Sequence, residues 1–432
     1  MLALGATAAP AALAGGSMAP AESRRADLAQ EQRTRIVVGF RRRLDQEQAR
    51  RVLERDGAAL LRDVIALRAA AATAPAADVD AVLARLRADS DVRYAERDGR
   101  IDLVRPRLGD RIRFARASRT PDDEGFGLQY SLRQSDDHDV DATNAWDHRT
   151  QCLKVAVVDT GVETGHKDLK DNIWINEREV HGNGRDDDHN GFVDDYKGVD
   201  VVDGNGSGLD RNGHGTHVAG IVAARGNNDR GVSGLCWKAK VMPVRVLDAD
   251  GRGNTSDAAE GIVYAVNHGV HVVNASYGST KSSSIERDAI RFAADHNTLI
   301  VAAAGNDHAN ADKKPMYPAA YSDDNVISVA ASDDRDRLAS LSNYGKKSVD
   351  LAAPGDGIAS TWDDGGYRGA SGTSMAAPLV SAAASMLRKE GVESRKKLRK
   401  LLLDNADDKD NLKGKVASGG RLNMRRALAA AD

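Results

Sequence analysis

Two cysteines in 432 residues, Cys152 and Cys236, are too few for a disulfide scaffold or a Cys-based zinc site. No stretch is apolar enough over a sufficient length to make a good membrane span, residues 1–21 included, because Gly and Pro are frequent there and strongly apolar residues few. Lysine is missing from residues 1–120, yet 23 arginines against 16 acids give that region +7, which leaves −10 for the remainder. Nucleic acid would need a basic face on the larger part, and none is suggested. The opposite charges suit two segments that attract each other.

What is present is enough chain for one large domain and a smaller one, with 41% hydrophobic and 29% charged residues, a globular rather than a disordered balance. Residues 1–21 carry no charge and end in Ala19-Pro20-Ala21, similar to the later part of a secretory signal, although the positively charged start is missing. Residues 22–104 alternate strand and helix patterns (Ile36 to Phe40, Asp45 to Arg55, Leu60 to Leu67, Val79 to Leu86, Val92 to Ala95, Ile101 to Val104), which predicts a small α+β domain. Residues 105–125 carry six arginines and little periodicity and read as an accessible linker. In residues 126–432, continuous apolar runs at Val155 to Val158, Val241 to Val246, Val270 to Val273, Leu299 to Ala304 and Val326 to Ala331 alternate with Ala-rich helical stretches. Strands buried on both faces and separated by helices predict an α/β body with a doubly wound, mainly parallel sheet, whose chemistry belongs at the carboxyl ends of the strands. Each cysteine precedes such a run; a bridge and two buried thiols both fit.

Asp159 ends the first of those runs. His214 stands in Asn212-Gly213-His214-Gly215-Thr216-His217, with small residues opening a helix behind it. A zinc reading of His214 and His217 lacks an intervening Glu and a third ligand. Ser374, in Gly372-Thr373-Ser374-Met375-Ala376-Ala377-Pro378, opens an Ala-rich helix, where a serine is a cap or a nucleophile favoured by the helix dipole. No G-x-S-x-G elbow occurs, which disfavours the α/β-hydrolase arrangement.

The order Asp, His, Ser, each beside glycine, decides among these readings. With Val155 to Gly161, Asn212 to Gly220 and Gly372 to Pro378, residues 126 to about 430 resemble the subtilisin-like serine proteases. The resemblance implies Ser374 as nucleophile, His214 as general base and acid, Asp159 as its orienting carboxylate, and Asn306 in Gly305-Asn306-Asp307 as the oxyanion donor. It implies that Gly251 and Gly253 on one segment, and Ser276, Tyr277 and Gly278 on another, pair an extended polypeptide substrate between them, with Met316 flooring an apolar P1 pocket. Asp186, Asp188, Asn190 and Asp194, with Gly191 at the turn, match a calcium loop whose twelfth position is Lys197, so that Asp195 would substitute. A solvated acidic loop is the plain alternative. Asp168 and Asn228 resemble ligands of another calcium site of the family. Ile36 to Phe40 and Val92 to Asp98 resemble the family's propeptide, an intramolecular inhibitor cut from the enzyme by its own activity; Leu108 and Phe114 are apolar candidates for the residue before that cut. The expectation is a secreted, calcium-stabilised endopeptidase made as a zymogen. An inactive binding scaffold is the rival class and an esterase a weaker third.

Overall fold

The computed structural model describes residues 33–112 and 121–431; the leader-like residues 1–21 and Phe114 lie outside them. Of the described residues, 33–63 and 70–97 form one compact unit, and 64–69 with 98–431 form the other. Residues 98–104, expected with the N-terminal domain, therefore belong to the larger unit.

The N-terminal unit runs β1 (Arg33–Phe40), α1 (Gln46–Arg55), β2 (Ala59–Val64), β3 (Ala69–Pro75), α2 (Val79–Ala88) and β4 (Val92–Arg97), with its four strands in the order β2-β3-β1-β4. Helix α1 starts at a reciprocal cap, in which Asp45 accepts the Gln48 N–H and the Gln48 side chain accepts the Asp45 N–H. Ala49, Val52 and Leu53 on its inner face meet Ile36, Val38 and Phe40 of β1 and Leu83 and Leu86 of α2. Strand β3 was not expected. Its sequence, AAAATAP, has no period-2 pattern and favours helix by propensity, but Ala70, Ala72 and Ala74 alternate into the core.

The larger unit opens with β5 (Arg100–Leu103), close to the strand expected at Ile101 to Val104, and with β6 (Arg107–Arg111), which lies inside the expected linker. After α3 (Ala142–Trp146) come β7 (Gln151–Asp159), β8 (Val199–Asp200), α4 (His214–Ala223), β9 (Lys238–Arg245), β10 (Arg252–Asn254), α5 (Thr255–Asn267), β11 (Val272–Ala275), β12 (Tyr277–Gly278) and α6 (Ser284–Asp295). The chain continues through β13 (Leu299–Ala303), β14 (Val326–Ser332), β15 (Leu351–Pro354), β16 (Ile358–Thr361), β17 (Tyr367–Ser371), α7 (Thr373–Lys389), α8 (Arg395–Asp404), β18 (Asp407–Asp408), β19 (Gly420–Arg421) and α9 (Met424–Ala429).

Nine strands form the central sheet in the order β18-β19-β15-β14-β13-β11-β7-β9-β8, parallel throughout except for the β18–β19 pair. On one face Val155 and Val157 pack with Val218, Ile221 and Val222 of α4 and Met375 and Leu379 of α7. On the other, α5 lies so close at Gly261 that an added Cβ would sit 2.8 Å from the Val244 and Val246 methyls. The chain crosses from β9 on one side of β7 to β11 on the other. Strand β7 is thus the switch point, where a ligand crevice opens beyond the carboxyl ends. A Cys152–Cys236 disulfide joins the start of β7 to the approach to β9, which settles the cysteine question in favour of the bridge.

Candidate active site

Asp159 closes β7 at this switch point and is fully buried. Its Oδ1 accepts from Thr160 N at 2.7 Å and lies 2.8 Å from His214 Nδ1. A carboxylate can only accept, so Nδ1 carries the hydrogen and Nε2 of the neutral ring is the basic nitrogen. That Nε2 is buried and has no hydrogen-bond partner among the described residues. His214 is the first residue of α4, and the turn before it is held by Asp210, which sequence reasoning missed. Asp210 accepts from Thr160 Oγ1, from the N–H groups of Asn212, Gly213 and Thr216, and from the Thr216 hydroxyl. His217 points elsewhere. Its Nε2 lies 3.0 Å from the Arg368 carbonyl, and burial pushes its pKa down to about 3, so the ring stays neutral.

Ser374 is the second residue of α7. Pro378 in that helix has no N–H to offer the Ser374 carbonyl, which instead lies 3.4 Å from the Ser276 hydroxyl. The Ser374 hydroxyl donates to the Val104 carbonyl at 2.9 Å. Asn306 follows β13, and its Oδ1 accepts from both Thr373 N and Thr373 Oγ1. That fixes the amide so that Nδ2 faces the Val104 and Arg105 carbonyls at 3.4 and 3.0 Å.

Val104 is brought there by β5, which lies as the middle strand of a three-stranded antiparallel sheet between β10 and β12. Ile101 pairs with Gly253, Asp102 with Gly278, and Leu103 with Tyr277. Leu103 N donates to the Gly251 carbonyl at 2.7 Å, and Val104 N to the Ser276 carbonyl at 3.2 Å. Gly251 has φ +75°, and a Cβ on it would come within 2.9 Å of the Leu103 Cβ, so glycine is needed for both turn and approach. Met316 lies beneath Gly278 and Gly305, its Sδ 2.5 Å from where a Gly278 Cβ would be and its Cε 3.2 Å from where a Gly305 Cβ would be. Leu108 sits in β6 with a half-exposed side chain, beyond the carbonyls that Ser374 and Asn306 address.

The acidic loop differs from its expected ring. Two clusters have ligand atoms within 4.8 Å of one another, one of Glu179, Asp186 and Asp188 and one of Asp188, Asp195 and His268. Asp194 joins neither. Its backbone is left-handed (φ +55°), and its carboxylate accepts from Asn183 N and Gly184 N instead. Asn190 donates to Asp195 and accepts from Phe192 N, which ties its amide into the loop. Asp195 is held by Asn176, Asn190 and the Tyr264 hydroxyl. Glu179 Oε2 and Asp188 Oδ1 are buried without hydrogen-bond partners among the described residues. Elsewhere, Asn228 Nδ2 donates to Asp168 at 2.9 Å, while Asp123, unforeseen in the linker, accepts from Asn227 N and Asn228 N. Burial pushes both Asp123 and Asp168 up to about 6, and Asn228 Oδ1 is buried without a hydrogen-bond partner among the described residues.

A crevice that grips an extended chain by its backbone and presents one carbonyl to a serine hydroxyl places the protein among the serine peptidases. The family model for the subtilases matches residues 151–420, and that for the fervidolysin N-terminal prodomain matches residues 24–98. Thermitase of Thermoactinomyces vulgaris is 37% identical over 310 residues, covering 72% of this chain and 99% of its own. A thermophilic serine proteinase of Bacillus sp. (strain AK1) is 32% identical over 395 residues, covering 91% and 86%. The crystal structure of fervidolysin from Fervidobacterium pennivorans, a keratinolytic enzyme related to subtilisin, shares the fold with a TM-score of 0.70 at 24% identity, over 92% of this chain and 61% of that one. The chain belongs to the subtilase family: it is a subtilisin-like serine endopeptidase with an N-terminal prodomain.

Proposed function

We propose that the chain is a secreted zymogen that first cuts its own Val104–Arg105 bond and then other polypeptides, using Asp159, His214 and Ser374. The observation that carries this reading is the Val104 carbonyl, 2.9 Å from Ser374 Oγ and 3.4 Å from Asn306 Nδ2, at the end of a strand docked between Gly251–Gly253 and Ser276–Gly278. Ser374 Oγ attacks the Val104 carbonyl carbon as His214 Nε2 takes its proton, and Asp159 stabilises the imidazolium. Asn306 Nδ2 holds the oxyanion. His214 then returns the proton to the Arg105 nitrogen, the Val104–Arg105 bond breaks, and water hydrolyses the acyl-enzyme. Met316 and the two glycines above it favour an apolar residue before the cut.

Calcium fits two places. Asp123, Asp168 and Asn228 Oδ1, once that amide turns over, give an all-oxygen set; Glu179, Asp186 and Asp188 give another. Two partnerless buried oxygens in the second set, and one in the first, are what a cation would satisfy. The leader-like 1–21 segment and the Cys152–Cys236 bridge support an oxidising destination outside the cell.

The test is to express wild type and Ser374→Ala in a protease-deficient host and measure masses. Wild type yields a fragment ending at Val104 and a chain beginning at Arg105, while the variant stays whole. Equal processing of both would assign the cut to another protease.

A further inference from the structure

The leaving side of the Val104–Arg105 bond is held by a surface of its own. Beyond Pro106 the chain forms β6, which adds antiparallel to β17 with Arg107 opposite Ser371, Leu108 opposite Ala370 and Arg111 opposite Arg368. Ile112 N extends the pairing to the Tyr367 carbonyl at 3.0 Å. All five residues of β6 are exposed, so burial of its side chains does not drive the docking. What holds the strand is backbone pairing along the edge of the β16–β17 hairpin, plus one ion pair toward each end. Arg107 meets Asp356 Oδ1 at 2.9 Å, and Arg111 meets Asp364. Asp356 lies just before β16 and Asp364 in the turn between β16 and β17, so the carboxylates mark the two ends of one edge strand.

We propose that the β17 edge with Asp356 and Asp364 is a docking strip for basic polypeptide on the leaving side of the cut, and that Asp356 selects arginine or lysine at the third residue after it. This rests on the reading of Val104–Arg105 as the bond presented to Ser374. The third position is the sharper of the two. Between Leu108 and Arg111 the strand holds one residue more than β17 does between Ala370 and Arg368, so contact with Asp364 depends on a bulge at Gly109–Asp110, where a Cβ on Gly109 would stand 3.2 Å from the Gly369 carbonyl.

The experiment uses the self-processed protein and quenched-fluorescent peptides copying residues 100–112, with Arg, Ala or Glu at the place of Arg107. Wild type should show kcat/KM about two- to fivefold higher for Arg than for Ala, with Glu lower still, as exposed ion pairs allow, and the ratio should shrink as salt is raised. Asp356→Asn should bring the Arg-to-Ala ratio to about one, and Asp356→Lys should make Glu the preferred residue. Ratios within one variant do not depend on how much enzyme is active. Equal rates for the three peptides with wild type, or an Arg preference that survives Asp356→Asn, would overturn the proposal. Failure of wild type to cut any of the peptides between the residues copying Val104 and Arg105 would instead overturn the reading of that bond as the one presented to Ser374.

Discussion

Asn306 is held from behind by Thr373, so on the mechanism proposed above its Nδ2 would meet the charge developing on the substrate oxygen without reorganising. Asn306→Ala should fold normally and lose about 10² to 10³ in kcat with KM little changed, the cost known for removing one such donor from subtilisin. A loss carried by KM would show that the amide binds ground-state substrate instead. Asp159, His214, Ser374 and Asn306 were legible because each sits inside a local run of glycines and small residues that the fold requires around it. Asp210, Asp123 and Glu179 were not. A carboxylate in an acid-rich loop looks like its neighbours until the tertiary fold brings amides or a second carboxylate to it, as Asp210 shows with donors from Thr160, Asn212, Gly213 and Thr216.

Among the elements, the strands of the central sheet were readable because burial on both faces writes an unbroken apolar run. The two misjudged segments, β3 and β6, lack that signature for opposite reasons: one is a run of alanines too small to show a period, the other an exposed strand whose pairing depends on its backbone. Helix α6 carries a further element-level consequence. Its Glu286 is fully buried, and burial pushes its carboxyl up to about 7, while the Tyr321 and Tyr277 hydroxyls pull the other way. An acid whose pKa is raised on folding stabilises most below its unfolded value near 4.5 and loses that contribution as pH rises through about 7. Glu286→Gln, made in an inactive Ser374→Ala background to prevent autolysis, should therefore melt higher than its parent at pH 8, by up to about 3 kcal/mol, and nearly match it at pH 4. No difference between variant and parent at either pH would show that folding does not raise the Glu286 carboxyl above its unfolded value.

At the scale of the whole molecule, stability rests on a cross-link and, on the proposal above, on bound cations. The Cys152–Cys236 bridge spans a sequence separation of 84 residues, and the loop-entropy argument gives it about 4.5 kcal/mol before any compensation. The double variant Cys152→Ser, Cys236→Ser should lower the denaturant midpoint by an amount equivalent to about 2–4 kcal/mol. A cation that binds only the native state adds about 2.7 kcal/mol at a concentration one hundred times its Kd. Melting in EDTA should thus fall well below melting in millimolar calcium, and autolysis should accelerate; identical curves would remove the metal from the account. Among the described residues no helix is long and apolar enough to cross a membrane.

The strand pairings on either side of the Val104–Arg105 bond carry one more implication. Breaking that bond removes none of the hydrogen bonds that tie β5 to β10 and β12, or β6 to β17. The nicked protein would thus be a filled enzyme, with both new chain ends still seated and the amine close enough to re-form the bond it left. Activity would appear only as the seated ends dissociate, so its onset would be set by a residence time rather than by chemistry. Since a molecule that has shed its strand can destroy the strands of others, a population should wake slowly at first and then all at once, sooner when concentrated than when dilute.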